Sequence, residues 1–275
     1  MFPVDDKAGL SNILLASDLD GTLLTDDKRI LDIDKRAIRK LQEEGGLFTI
    51  ATGRGVTLTR TAAEVLEPNL PAVVFNGAAL YDYKRDCFIW SLTLPATVRE
   101  HILSIAERFP TTGVEILIGC EVYVINSNPI EEEHINLGNP NPIRCPLEHV
   151  PPSGWIKILL ADEPSMIDKV AEFANSLGLI DIHMVRSAPV YFEILPHGAN
   201  KGNGIEKLVE LKGLHERSVV AVGDYDNDLE MLEMADVKIA VANAESAVKA
   251  LADIIVCDNN SGAIFEIVEL LKKNV

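Results

Sequence analysis

Ile13-Leu14-Leu15-Ala16-Ser17-Asp18-Leu19-Asp20-Gly21-Thr22-Leu23-Leu24 is an apolar run that ends on two carboxylates, with a glycine and a threonine directly after them. Five consecutive small or apolar residues, Ile13 to Ser17, predict a strand buried on both faces, as in the middle of a parallel sheet. Asp18 then falls where the strand ends, the edge at which open α/β sheets bind ligands. Side chains alternate faces along a strand, so Asp18 and Asp20 diverge unless the chain turns, and Gly21 permits that turn. Taken alone, the stretch reads equally as a solvated turn or as a nucleophile and metal ligand beside an acid/base. The rest of the chain decides between them.

Outward from this stretch the pattern alternates. Leu31–Glu44 has apolar residues at Leu31, Ile33, Ile38 and Leu41 among charges, a helix stopped by Gly45 and Gly46. Leu47–Ala51 predicts a second buried strand, Gly55–Leu66 a helix and Ala72–Phe75 a third strand. Strand, helix, strand, helix, strand with right-handed crossovers gives an α/β fold, a Rossmann-like doubly wound parallel sheet. From about Tyr83 the grammar changes. Phe88–Leu94, Val114–Ile125, Trp155–Ala161, Ile180–Val185 and Val190–Leu195 read as strands, with helices at Ala96–Phe109 and Ser165–Leu177. Asn126–Pro152 reads mostly as loop, with a short acidic helix near Glu131–Asn136 in which Glu131–Glu133 is a solvated charge run. After Pro196 the alternation resumes: helix Gly202–Lys212, strand Val219–Val222, helix Asp226–Ala235, strand Val237–Val241, helix Ser246–Ala252, strand Ile254–Val256 and helix Ala263–Lys272. Residues 1–83 and 193–275 therefore form a discontinuous core, and residues 84–192 an inserted α+β module that can act as a lid over the sheet's carboxyl edge.

Composition narrows the function. With 275 residues, 47% hydrophobic and 24% charged, the chain is globular, and no apolar stretch is long enough to span a bilayer. Met1–Leu10 carries Asp5 and Asp6 and lacks a signal peptide's basic start and apolar centre, which places the protein in the cytoplasm. The four cysteines are widely spaced, without a CxxC pair, so reduced thiols are expected and no zinc knuckle. A net charge of −17 argues against a nucleic-acid partner, because phosphate backbones need clustered Lys and Arg. A phosphate ligand would need a site made locally positive by a metal and a few placed cations.

Asp18, Thr52, Asn76 and Asp224 each follow a buried apolar run, and in one parallel sheet all four share an edge. Singly, Thr52 is a helix-start hydroxyl, Asn76 a turn former and Asp224 an N-cap; together they outweigh those readings. Gly223-Asp224-Tyr225-Asp226-Asn227-Asp228 puts three aspartates in one turn, which repel unless a cation compensates. Mg²⁺ suits hard oxygen ligands: the Asp18 and Asp224 carboxylates and the Asp20 backbone carbonyl, with Asp228 behind them. Lys201, opening a helix in Asn200-Lys201-Gly202, would offset charge on Asp18 and on a phosphoryl group. Gly53-x-Gly55 lacks a dinucleotide fingerprint's third glycine, no P-loop is present, and the six histidines show no HExxH spacing.

These stretches resemble the haloacid dehalogenase superfamily of phosphatases, specifically its Cof-like hydrolases with a type IIB cap. SDLDGTLL (Ser17–Leu24), ATGR (Ala51–Arg54), Lys201 with Gly202, and GDYDND (Gly223–Asp228) are similar to its four motifs in order, and FNGA (Phe75–Ala78) precedes the cap. The resemblance implies a Mg²⁺-dependent phosphatase of small phosphorylated metabolites, sugar phosphates first among them. Asp18 would attack phosphorus to give an aspartyl-phosphate, and Asp20 would protonate the leaving oxygen and then activate water. Thr52 and backbone N–H groups near Gly21 and Gly53 would hold phosphoryl oxygens, Lys201 would neutralise charge, Arg54 would contact substrate, and Asn76, Gly77 and Asn227 would line the site. A phosphomutase-type transferase and a non-catalytic phospho-ligand sensor are the alternatives, and either a monomer or a homodimer is compatible.

Overall fold

The structure is a computed structural model that describes residues 9–137 and 141–273. Residues 1–8, within the stretch read as lacking a signal peptide, and residues 138–140, within the stretch read as loop, lie outside the described residues. In chain order the first half forms β1 (Ile13–Ser17), α1 (Asp32–Glu43), β2 (Leu47–Ile50), α2 (Val56–Leu66), β3 (Ala72–Val74), β4 (Ala79–Asp82), β5 (Cys87–Ser91), α3 (Val98–Arg108), β6 (Gly113–Ile118), β7 (Glu121–Asn126), α4 (Pro129–Asn136) and β8 (Ile143–Arg144). The second half continues with β9 (Trp155–Ala161), α5 (Pro164–Ser176), β10 (Ile182–Ala188), β11 (Tyr191–Pro196), α6 (Lys201–Lys212), β12 (Ser218–Gly223), α7 (Leu229–Met234), β13 (Val237–Val241), α8 (Ser246–Leu251), β14 (Ile254–Val256) and α9 (Ala263–Lys273). The described residues divide into two compact units, one drawn from residues 9–54, 59–89 and 200–273, the other from residues 55–58, 90–137 and 141–199. No helix among the described residues is long and apolar enough to cross a membrane.

The first unit is built on a parallel sheet of order β14-β13-β12-β1-β2. Central β1 pairs in parallel with β12 on one side and β2 on the other, and Ile13, Leu14, Leu15 and Ala16 are fully buried. A strand covered on both faces must be apolar throughout, which is why this run carries no alternation. The third strand corrects the sequence reading. Ala72–Val74 does not extend the parallel sheet as a full member; it touches β2 through the Ala51 to Val73 bridge and the Thr52 N–H bond to the Val73 carbonyl, 2.9 Å, and its ladder is with β4 in a separate sheet of order β3-β4-β5. Antiparallel pairing of β3 and β4 is a local event across a short turn, and β4 was hidden in the apolar tail of the FNGA stretch.

The helix expected at Asp226–Ala235 is also corrected: a short 3-10 turn, Asp226–Asp228, precedes the six residues of α7. The Asp228 carboxylate bends back to accept the N–H groups of Asp224 and Tyr225, at 2.9 and 3.2 Å, and this local bonding replaces the first helical turn.

The second unit is a six-stranded sheet of order β10-β11-β9-β6-β7-β8, antiparallel except where β8 pairs in parallel with β7. Its core joins Val98, Ile102 and Ile105 of α3, Ile167 and Val170 of α5, and Val114, Ile116, Ile158 and Ile194 of the sheet. The charge run is the clearest correction here. Asn128 caps α4 by accepting the Glu131 N–H at 2.9 Å, and the helix turns Glu131 inward, leaving it fully buried while Glu133 stays exposed.

Candidate active site

β1 and β12 are neighbours, so the residues leaving their carboxyl ends, Asp18 and Asp224, meet. Asp18 closes β1 by donating its N–H to the Val222 carbonyl at 3.1 Å, which fixes its backbone to β12. The chain then turns at Gly21, whose φ is +75°. A side chain there would be strained, and its Cβ would fall 2.3 Å from Asp224 Oδ2. Only glycine lets the Asp18–Thr22 turn lie this close to Asp224. Thr22 completes the contact by donating its hydroxyl to Asp224 Oδ1 at 2.8 Å.

Lys201 reaches the same place from α6. Asn200 caps that helix, accepting the Asn203 N–H at 2.7 Å, and Lys201 is its first residue. The Lys201 ammonium donates to Asp18 Oδ1 at 2.7 Å and to Asp228 Oδ1 at 2.6 Å. All three side chains are almost wholly buried: Lys201 is 1% exposed, Asp18 5% and Asp228 0%. One ammonium therefore faces three carboxylates, because oxygens of Asp18, Asp224 and Asp228 lie within 4.8 Å of one another.

The electrostatics follow from that imbalance. Burial pushes the Asp18 carboxyl well above the ordinary carboxylate range, helped by the charges of Asp228, Asp224 and Asp20 and opposed by Lys201. Burial, and after it the Asp228 charge, pushes Asp224 up to about 6, with Thr22 and Lys201 pulling the other way. Burial favours a neutral Lys201, but Asp18 and Asp228 outweigh it and hold the ammonium above its ordinary value. Two carboxyls that burial and neighbouring carboxylate charge make costly to ionise are a site where a divalent cation fits, since it neutralises both and finds hard oxygen donors. Asp228 is engaged on both oxygens, one by Lys201 and the other by two backbone N–H groups, and still lies within reach of a shared cation.

Asp20 lies apart from that cluster. Arg54 donates through Nε and Nη2 to its two oxygens at 2.6 and 2.7 Å, and Lys28 adds a contact of 2.8 Å. Burial alone would raise the Asp20 carboxyl, but Arg54 and then Lys28 hold it below its usual range. Lys28 was not foreseen; it sits at φ +60° in the turn after Thr25, where no sequence pattern singles out one lysine.

The remaining sequence candidates form a third group beside β2. Thr52 gives its N–H to β3, accepts the Arg54 N–H on its hydroxyl at 3.1 Å, and accepts the Asn76 N–H on its carbonyl at 3.0 Å. Phe75, Asn76 and Gly77 are consecutive left-handed residues, φ +53°, +50° and +87°. Strain of this kind persists only where surrounding structure imposes it. Here it brings Asn76 Oδ1 to the Asn227 amide, 3.0 Å, and Gly77 against the Asn200 carbonyl. Gly53 packs on Asn76, where a Cβ would lie 2.8 Å from Oδ1. Thr22, Lys28 and Asn200 are the residues of this region that sequence reasoning did not assign a role.

Residues 15–268 match the model of the haloacid dehalogenase-like hydrolases. The chain is 28% identical to 5-amino-6-(5-phospho-D-ribitylamino)uracil phosphatase YitU of Bacillus subtilis, over 91% of this chain and 94% of that protein. It is 26% identical to pyridoxal phosphate phosphatase YbhA of Escherichia coli, over 93% and 97%. Among solved structures, a haloacid dehalogenase-like hydrolase from Bacteroides thetaiotaomicron superposes with a TM-score of 0.83 at 25% identity, covering 94% of this chain and 98% of that one. A family match across almost the whole chain, on a fold whose strand ends gather the motif residues, means that this chain belongs to the haloacid dehalogenase-like hydrolases.

Proposed function

We propose that the protein hydrolyses phosphate monoesters of small metabolites, sugar phosphates first among them, through an aspartyl-phosphate on Asp18. The observation that carries the reading is the buried Lys201 ammonium held between Asp18 and Asp228, with Asp224 alongside. A carboxylate desolvated in this way and oriented by an ammonium is an activated nucleophile, and the same ammonium offsets charge on a phosphoryl group. The relatives' names, a phosphoribityl compound and pyridoxal phosphate, support small phosphorylated substrates.

In the first step an Asp18 oxygen forms a bond to phosphorus, the bond to the leaving oxygen breaks, and Asp20 gives that oxygen its proton. In the second, water attacks phosphorus, Asp20 takes the proton back, and phosphate leaves Asp18. Asp20 as held here, ionised by Arg54 and Lys28, is in the form that serves as base. A substrate phosphate competes for the Arg54 guanidinium, and loosening that pair lets Asp20 take up the proton it gives as acid. Thr52 and the backbone near Gly21 and Gly53 bind phosphoryl oxygens, with Asn76, Gly77 and Asn227 shaping that wall. The Asp18 and Asp224 carboxylates and the Asp20 carbonyl, with Asp228 behind, would hold Mg²⁺, which would supply charge neutralisation at the phosphoryl oxygens. Substrate choice we assign to the inserted module, residues 84–192.

The test is release of phosphate from a panel of sugar phosphates, nucleotides and cofactor phosphates, with and without Mg²⁺. Turnover that needs Mg²⁺ and vanishes in Asp18→Asn is expected. Turnover that survives in Asp18→Asn rules out the nucleophile, and sustained transfer to an acceptor without free phosphate makes the protein a mutase.

A further inference from the structure

The loop that carries Asp20 runs from Asp18 to Thr25 with little regular backbone pairing. Its inner bonds converge on one acceptor: the Leu19 carbonyl takes the N–H groups of Thr22, Leu23 and Leu24, at 3.4, 3.1 and 2.7 Å. The carbonyls of Gly21 and Leu24 are instead gripped from outside by two asparagines. Asn243, in the loop after β13, donates its amide to the Gly21 carbonyl at 2.7 Å. Asn259, after β14, donates to the Leu24 carbonyl and to Asp26 Oδ1, both at 3.0 Å. The two are tied together, because the Asn259 N–H donates to Asn243 Oδ1 at 3.0 Å.

These contacts bracket Asp20. Gly21 follows it directly, and Leu24 is paired with Asp20 itself in an isolated bridge. Asn259 is 2% exposed, and its two acceptors fix the orientation of its amide. The Asn243 loop braces the other side of the site as well, since the Glu245 N–H donates to the Asp224 carbonyl at 2.8 Å. We propose that Asn243 and Asn259 are positioning residues for the acid/base carboxylate of Asp20, acting through the backbone of the Asp18–Thr25 loop. The proposal rests on the phosphatase reading above. A carboxylate on a loop held by isolated bridges rather than by a ladder transfers protons efficiently only if that loop is held to a fraction of an ångström, and the asparagines add to that constraint.

Proton donation matters most for a poor leaving group and little for a stabilised phenolate. The experiment compares kcat/KM for an alkyl phosphate and for 4-nitrophenyl phosphate in the full chain, in Asn243→Ala, in Asn259→Ala, in Asp20→Asn and in the Asn243→Ala/Asp20→Asn double variant, with thermal melting of each. Asn243 is exposed, so its variant is expected to fold even if Asn259→Ala does not. The expected result is a loss of about tenfold or more on the alkyl phosphate in Asn243→Ala with less than about threefold on the nitrophenyl ester, and no further loss in the Asp20→Asn background. Equal losses on both esters, or a loss that adds fully to that of Asp20→Asn, overturn the positioning role while leaving the phosphatase reading intact. A wild type that hydrolyses neither ester overturns both.

Discussion

Replacing Lys201 by methionine keeps the length and apolar stem of the side chain and removes only the ammonium. Two ion pairs vanish together, with Asp18 at 2.7 Å and Asp228 at 2.6 Å, in a place where both carboxylates are almost wholly buried. Removing one partner of a buried pair costs about 3–5 kcal/mol, because an uncompensated charge stays behind. Asp228 keeps the two backbone N–H groups of Asp224 and Tyr225, so the penalty falls mainly on Asp18. For a unit of this size that is a drop in melting temperature of about 6–20 °C. The assay is calorimetric melting across a pH series without divalent cations. Burial already holds Asp18 above the ordinary carboxylate range, so its proton is bound more tightly in the folded state, and losing Lys201 strengthens that hold. A protonated Asp18 needs no counter-charge. The gap between variant and wild type is therefore widest at alkaline pH and closes as the pH falls through the Asp18 value. A variant that melts within about 2 °C of wild type at alkaline pH would refute the claim that this ammonium is what makes three buried carboxylates tolerable.

Gly77→Ala places a Cβ 1.9 Å from the Asn200 carbonyl at φ +87°, so a loss of about 2–4 kcal/mol in urea unfolding is expected, together with reduced turnover because Asn200 caps the helix that presents Lys201. Glu131 is fully buried with Oε1 unpartnered, and Ser127 Oγ lies 2.6 Å from its other oxygen and 2.7 Å from Glu132, although one hydroxyl has one proton to give. Burial raises the Glu131 carboxyl, so its contribution to stability is full below the ordinary glutamate value and is lost as pH rises through the raised one; Glu131→Gln should match wild type in acid and melt higher than it on the alkaline side. Cys257 is pushed up to about 12 by burial and by Glu266, so in maleimide labelling followed by mass spectrometry it should lag behind the exposed Cys87 and Cys120 at neutral pH.

The site was legible where a residue's position along an element determines where it ends up. Asp18 and Asp224 follow strands that are neighbours, and Lys201 opens a helix, so local grammar plus a parallel sheet suffices. It failed where partner choice is not local. Ala72–Phe75 is apolar enough for either sheet, and only the left-handed turn at Phe75–Gly77 reveals that the chain folds back antiparallel. Three glutamates in a row look solvated, yet a helix rotates each by about 100°, which is enough to bury Glu131 and expose Glu133. Lys28, Asn243 and Asn259 carry no pattern at all. Each is a single polar residue in a loop, and its meaning comes from a carbonyl or carboxylate supplied by another part of the chain.

These separate features share one electrostatic cause. A chain of net charge −17 that gathers Asp18, Asp224 and Asp228 in one buried cluster has no net attraction to offer a phosphate dianion. Lys201 offsets part of that charge, and burial together with the neighbouring carboxylates still holds Asp18 above the ordinary carboxylate range. A divalent cation held by Asp18 and Asp224 would favour the ionised form of both and would give the dianion a positive surface to approach. On the function proposed above, metal binding, Asp18 ionisation and substrate binding would be one linked event rather than three. The same logic accounts for Asp20 lying outside the cluster with its own cations, Arg54 and Lys28. A fourth carboxylate among the other three would be driven to take up a proton, whereas Asp20, held below its usual range by its own cations, is the weakest of the charges that raise Asp18.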